Sequence, residues 1–189
     1  PADGPGMKMR RAMSAAVMPR SAGFDISWVP EVTNETKVFM SILMFIGAGS
    51  SSTAGGIRVT TFAVILLICR AAFTGHRDVT VFRRRIPRRI QMTAVSVTTA
   101  CFALVMVGAM MLMFTTGCAF VDAVFEACSA FSLGGYSVAV PSAGNPASLF
   151  ILSAEMIVGR LGPLTIAYSI SRPMAPEPIR YPQENIIVG

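Results

Sequence analysis

Gly47-Ala48-Gly49-Ser50-Ser51-Ser52-Thr53-Ala54-Gly55-Gly56 interrupts an otherwise apolar stretch that covers residues 38–73. Backbone amides without helical partners cannot face hydrocarbon. Irregular chain at membrane depth must therefore be buried in protein or line a water-filled cavity. A hydrophobic span broken by small residues points to a transport pathway. The spacing fits no nucleotide cradle, because GxxxxGK[ST] needs a lysine after Gly55-Gly56, and neither the GxGxxG spacing nor a preceding strand is present. Close helix packing of small residues is the bland alternative.

Composition supports a bilayer. The chain of 189 residues is 53% hydrophobic and 14% charged, where a soluble domain carries about 25% charged residues. Besides the two halves, 38–47 and 57–73, residues 92–116 are continuous and long enough to cross roughly 30 Å at about 1.5 Å per residue. Residues 148–171 form a second full span, which contains Glu155, Gly159, Arg160, Gly162 and Pro163. The methionines fall mostly in these spans, where packing explains them. Cys69, Cys101, Cys118 and Cys128 form no CxxC pair and read as small buried apolar residues. His76 is the only histidine and lies in a basic loop, so a zinc site is set aside. No nucleophile–base set or paired carboxylates suggest an enzyme.

The net charge of +6 is concentrated. Arg70, Arg77, Arg83, Arg84, Arg85, Arg88 and Arg89 crowd one connection, as expected of a short cytoplasmic loop. Anionic headgroups hold such a segment at the membrane surface. No aromatic residues interleave at base-stacking spacing, so no nucleic-acid partner is expected. With residues 70–91 inside the cell, 92–116 runs outward, 117–147 lies outside and 148–171 returns; Arg172 and Arg180 fit a cytoplasmic C-terminus. Pro1 is no initiator and no span precedes residues 7–18, so the chain reads as a piece of a longer protein with a natural C-terminal end.

Residues 119–131 are amphipathic and too short to cross, with Asp122 placed to suit the positive end of the helix dipole. They stop at Ser132-Leu133-Gly134-Gly135-Tyr136-Ser137 before a turn near Pro141 and Pro146. A short apolar helix, a glycine-bearing extended segment and a full span describe a re-entrant pore loop. The front of the chain repeats this pattern, with residues 7–18, the break Pro19-Arg20-Ser21-Ala22-Gly23-Phe24, a turn near Pro30, and the span from Val38. Rings of backbone carbonyls on extended chain replace an ion's hydration shell, and glycine permits the angles that aim them. A short helix presents its negative end to a cation. Each break alone is a weak motif that surface turns share; repetition in matched context strengthens it.

These residues resemble the membrane subunits of Trk/Ktr potassium uptake systems, the Ktr type in particular. Pro19 to Phe24 resembles the third filter segment. Phe45 to Phe62 is similar to the interrupted third inner helix, Phe120 to Phe131 to the fourth pore helix, Gly159-Arg160-Leu161-Gly162-Pro163-Leu164-Thr165 to the fourth inner helix, and Tyr181 to Gly189 to the Ktr-type ending. Leu133-Gly134-Gly135-Tyr136 stands where the family usually reads Thr-Val-Gly-Leu, with Gly135 matching its glycine.

The resemblance implies an all-α membrane protein built from repeats of outer helix, pore helix, filter and inner helix. Residues 1–73 would be a partial third repeat, 74–91 a basic cytoplasmic loop, 92–171 a complete fourth repeat, and 172–189 a cytoplasmic tail. The filter would comprise Ser21, Ala22, Gly23, Phe24, Ser132, Leu133, Gly134, Gly135 and Tyr136, with K+ held by carbonyls near Gly23 and Gly135. The gate would comprise Gly49, Ser50, Ser51, Ser52, Thr53, Gly55, Gly56 and Arg160. Arginine near mid-span costs at least about 2.5–3.5 kcal/mol if it faces lipid, so Arg160 is expected to face the interior or a water cavity. Pairing with Glu155 is its structural alternative, although the five-residue spacing suits a helix poorly. Glu155 is expected to face the interior and pair locally. The implied setting is a multi-pass subunit of the plasma (inner) membrane, a homodimer on a cytosolic nucleotide-binding ring. K+ is the transported ion, Na+ a candidate coupling ion, and no cofactor belongs to this chain. The rivals are a non-conducting scaffold or paralogue and a sodium-permeable transporter.

Overall fold

Proline and glycine set three of the helix ends. The computed structural model describes residues 29–47, 49, 55–75, 79–81, 84–138, 140 and 145–170, with isolated residues 6, 9, 12 and 13, and side chains as far as Leu161. A 3₁₀ turn, Val29–Glu31, leads into α1 (Asn34–Phe45), followed by α2 (Val59–Phe73), α3 (Arg88–Thr116), α4 (Phe120–Ser132) and α5 (Pro146–Ile170). Pro87 stands at the N-cap of α3, and Gly117 ends it with φ +66° and an N–H donated to the Met113 carbonyl at 2.9 Å. Pro146 opens α5, where its missing N–H has no helical partner to lose. The Asn145 side chain donates to the Thr115 carbonyl at 2.8 Å and so ties the start of α5 to the end of α3.

Helix α3 extends about 43 Å at 1.5 Å per residue, and among the described residues it alone is long and apolar enough to cross a membrane by length and composition. Its threonine hydroxyls do not stay open. Thr93, Thr98, Thr99, Thr115 and Thr116 each donate to the carbonyl four residues back, which makes them tolerable on a lipid-facing helix.

The core forms around α4, which packs against α1, α3 and α5. Phe125, Phe131, Met40, Met44 and Leu112 are its largest fully buried side chains together with Ile57 and Val29. Phe45, at the end of α1, meets Phe131 at a ring-centroid separation of 6.1 Å and Phe102 edge-on at 6.2 Å, within the range of favourable aromatic pairs. Helix α2 has no buried residue and packs against α3.

Several expectations need correction. The basic connection is not all loop. It contains a two-stranded antiparallel ladder, β1 (Thr80–Val81) with β2 (Arg84–Arg85), in register Thr80 with Arg85 and Val81 with Arg84. The β-branched pair Thr80-Val81 suits an extended chain, and the Ile86 N–H closes the ladder on the Val79 carbonyl at 2.9 Å. Helices α1, α3 and α5 begin earlier than hydropathy alone suggests, because Lys37, Arg88 and Arg89 are good helix formers and Pro146 suits a first helical position, although none of them reads as part of a span. Cys69 is exposed on α2, unlike Cys101 and Cys128, which are buried, and Cys118 is half-buried. All four thiols are free.

Candidate functional site

The site is assembled at the C-terminal end of α4. Leu133 takes the left-handed conformation (φ 58°) and ends the helix: its N–H reaches the Ala130 carbonyl at 3.1 Å, and that of Gly134 reaches Ser129 at 2.9 Å. Glycine usually fills that cap because a side chain strains it. Gly135 follows with φ +76° and is exposed. Beyond it the extended chain is pinned by two side chains of α4. The Ser129 hydroxyl accepts from the Tyr136 N–H at 2.9 Å and donates to the Tyr136 carbonyl at 2.5 Å. Glu126 Oε1 accepts from the Ser137 hydroxyl at 2.6 Å and the Val138 N–H at 2.8 Å. Ser129 and Glu126 are both buried, so the clamps work where water does not compete.

The interrupted span lies against this end. Ile46 and Ile57 form an isolated parallel bridge, with the Ile57 N–H donated to the Phe45 carbonyl at 3.1 Å. Chain leaving α1 therefore returns beside its own exit, in the same direction, before α2 begins. Gly47, Gly55 and Gly56 are buried at that closure, and a Cβ at Gly47 would collide with the Gly55 carbonyl. Gly56 needs its φ of +86°. Gly55 donates its N–H to the Ser132 carbonyl at 3.2 Å, so the break touches the last residue of α4. From the other side, Gly159 of α5 meets the backbone of Phe131 so closely that a Cβ would overlap the carbonyl oxygen.

The expected residues divide accordingly. Ser132, Leu133, Gly134, Gly135 and Tyr136 form one continuous segment, with Ser132, Gly134 and Tyr136 buried. Gly55 and Gly56 abut it; Gly49 is exposed, with nothing near a Cβ built on it. Arg160 is exposed on α5. Ser21, Ala22, Gly23 and Phe24, and likewise Ser50, Ser51, Ser52 and Thr53, lie outside the described residues. Glu155 faces the interior as expected but does not pair locally: neither carboxyl oxygen has a hydrogen-bond partner among the described residues. No group of His, Cys, Asp and Glu suited to a metal occurs among the described residues.

Sequence reasoning missed one pair. Lys37 Nζ lies 2.7 Å from Asp122 Oδ1, with side chains 10% and 27% exposed, and joins the first turn of α1 to that of α4. Lys37 precedes the apolar run and Asp122 was read only against the helix dipole, so nothing linked them along the chain. Losing one partner strands a largely buried charge. Lys37→Met or Asp122→Asn alone is expected to destabilise the full-length protein by about 1–3 kcal/mol. The double variant should cost less than the sum, as thermal unfolding in detergent would report.

A mostly helical membrane protein, with a glycine break pressed against a clamped extended segment, defines a class in which polar backbone is sheltered within the bilayer. Residues 5–177 match the family described as TrkH, cation transport protein, and the chain belongs to that family. It is 37% identical to the Ktr system potassium uptake protein B of Bacillus subtilis over 174 residues, covering 92% of this chain and 39% of that protein. Identity to the Vibrio alginolyticus protein of the same name is 32% over 170 residues, 90% of this chain and 37% of the relative. The potassium/sodium uptake protein NtpJ of Enterococcus hirae is 27% identical over 182 residues, 92% of this chain and 40% of the relative. The chain thus spans about two fifths of the length of these relatives. The family description and these names are those of transport proteins, not enzymes.

Proposed function

We propose that the chain supplies the last pore-loop repeat, and most of the one before it, to a potassium-conducting membrane subunit. The observation that carries this is the double clamp, which fixes the chain that follows Gly135, from Tyr136 to Val138, through Ser129 and Glu126. Backbone held this way keeps its carbonyls oriented without a bound ion, the condition for replacing a hydration shell selectively. K+ would rest between carbonyls near Gly135 and those of the repeated break Ser21 to Phe24. The run Gly49, Ser50, Ser51, Ser52, Thr53, Gly55 and Gly56, with Arg160, would gate the path from below. Its support is the contact of Gly55 with Ser132, the first residue of the segment Ser132 to Tyr136.

The wider setting follows the names of the relatives. A Ktr system implies further components, which we take to be a cytosolic nucleotide-binding ring beneath a homodimer of membrane subunits. Na+ would be the coupling ion. The basic connection 74–91 and the tail 172–189 would face the cytoplasm of a plasma-membrane protein. A non-conducting scaffold is not favoured, since the relatives at 32–37% identity are named as uptake proteins.

Rubidium and sodium uptake by the full-length protein in a potassium-uptake-deficient host tests the reading. Gly135→Ala places a side chain at φ +76° and is expected to lower the rubidium-to-sodium ratio about tenfold, whereas Arg160→Ala should change rate with little effect on the ratio. Unchanged transport in both variants would remove these residues from the pathway.

A further inference from the structure

Glu155 is used by nothing described above. It lies in the middle of α5, 5% exposed, with both carboxyl oxygens buried and without hydrogen-bond partners among the described residues. Its side chain fills a notch in α3 made by Gly108, where even a methyl group would overlap Oε1. A cavity of about 230 Å³ opens beside it between α3 and α5, lined by Leu104, Val107, Met111, Phe150 and Ala154. Val107, Met111 and Phe150, which line it, are exposed apolar side chains.

A carboxyl group in such surroundings needs either a proton or a cationic partner, because an unpaired charge at membrane depth is expensive. Among the described residues, the elements around it offer no cation in contact with its oxygens. Helix α3 presents Gly108 and apolar side chains. Helix α4 presents the Cys128 thiol, which cannot neutralise a carboxylate. Along α5 the nearest charged residue is Arg160, on the exposed side and five positions on. The occupant that fits the space left at the oxygens is a proton.

We propose that Glu155 is an intramembrane proton-binding site, exchanging its proton with water and bordered on its lipid side by the apolar α3–α5 cleft. Its position gives the proton a mechanical consequence. Glu155 sits one turn from Gly159, which meets the backbone of Phe131, and the next residue along, Ser132, accepts from Gly55. Loss of the proton forces the carboxylate toward water, spreads α3 from α5, and draws Gly159 away from the end of α4. The site stands without the transport reading; its coupling to uptake rests on it.

The full-length wild type in lipid vesicles is treated with dicyclohexylcarbodiimide, or with a water-soluble carbodiimide, and mapped by mass spectrometry. The carboxyl O–H adds across one N=C bond, oxygen to carbon and proton to nitrogen. The acyl group then migrates to nitrogen, leaving a stable N-acylurea with nothing expelled. The hydrophobic reagent is expected to label Glu155 at least about tenfold faster than the water-soluble one, as a lipid-side carboxylic acid requires. No adduct at Glu155, or equal labelling by both, overturns the site. This arm needs no variant and no transport, so it is independent of the filter reading. In the second arm, wild-type rubidium uptake should fall about threefold or more between roughly pH 6 and roughly pH 9, while Glu155→Gln stays flat. Matching profiles overturn the coupling even where labelling succeeds.

Discussion

Gly159→Ala is expected to abolish most rubidium uptake and to destabilise the full-length protein by about 1–3 kcal/mol, the usual cost of overpacking a tight contact. The sign is informative. In an unhindered helix, glycine to alanine stabilises by about 1 kcal/mol through backbone entropy. Here the new Cβ would overlap the Phe131 carbonyl oxygen and stand 2.9 Å from its carbon. Backbone opposes it, so no side chain can rotate away and α5 must shift as a body. That shift reaches the filter segment through Ser132 and the break through Gly55, which donates to the Ser132 carbonyl. A control at Ile157, exposed on the same helix, should leave uptake within about twofold when changed to alanine, as surface substitutions do. Higher thermal stability in Gly159→Ala would mean that the contact is not as close as described.

The second large effect concerns the clamps. Ser129→Ala removes one acceptor and one donor from the buried Tyr136 backbone, at a total cost of about 1–3 kcal/mol. The expected outcome is a loss of cation discrimination of about tenfold or more, since each 1.4 kcal/mol of positional energy is a tenfold ratio. Glu126→Ala should act in the same direction through Ser137 and Val138. Glu126→Gln retains an acceptor oxygen of the same reach and should be much milder. Paired rubidium and sodium uptake with purified-protein melting separates the effects: a selectivity loss without unfolding marks the clamp, whereas a melting loss with selectivity intact marks a purely structural serine.

What the sequence made legible was periodic or conformational. Hydropathy placed residues 119–131 within one residue of α4 at each end, and the end of α3 at Thr116 needed only Gly117. The glycine run was readable as a break because lipid tolerates irregular chain only under cover, and Gly47, Gly55 and Gly56 are indeed buried. Hidden from the sequence were the contacts between distant positions. Nothing local announces that Gly108 is small to admit Glu155, that Gly159 is small to meet Phe131, or that Lys37 reaches Asp122. Leu133 has a role that its side chain does not announce. Compared with a threonine it reads as a missing hydroxyl, yet in the structure its backbone caps a helix in the left-handed region. The short ladder in the basic connection was masked by its arginines, whose charge pattern outweighed the β-branched Thr80-Val81 pair.

One measurement bears most directly on whether a desolvated ion rests here. Crystals of the full-length protein grown with rubidium or thallium, measured at the absorption edge of the ion, locate bound cations by anomalous scattering. The expected result is a peak within coordination distance of main-chain oxygens at Gly135 and at Gly23, on one shared axis. Gly23 and Gly135 on separate surfaces, with no cation density between them, would contradict the assignment of both segments to a filter.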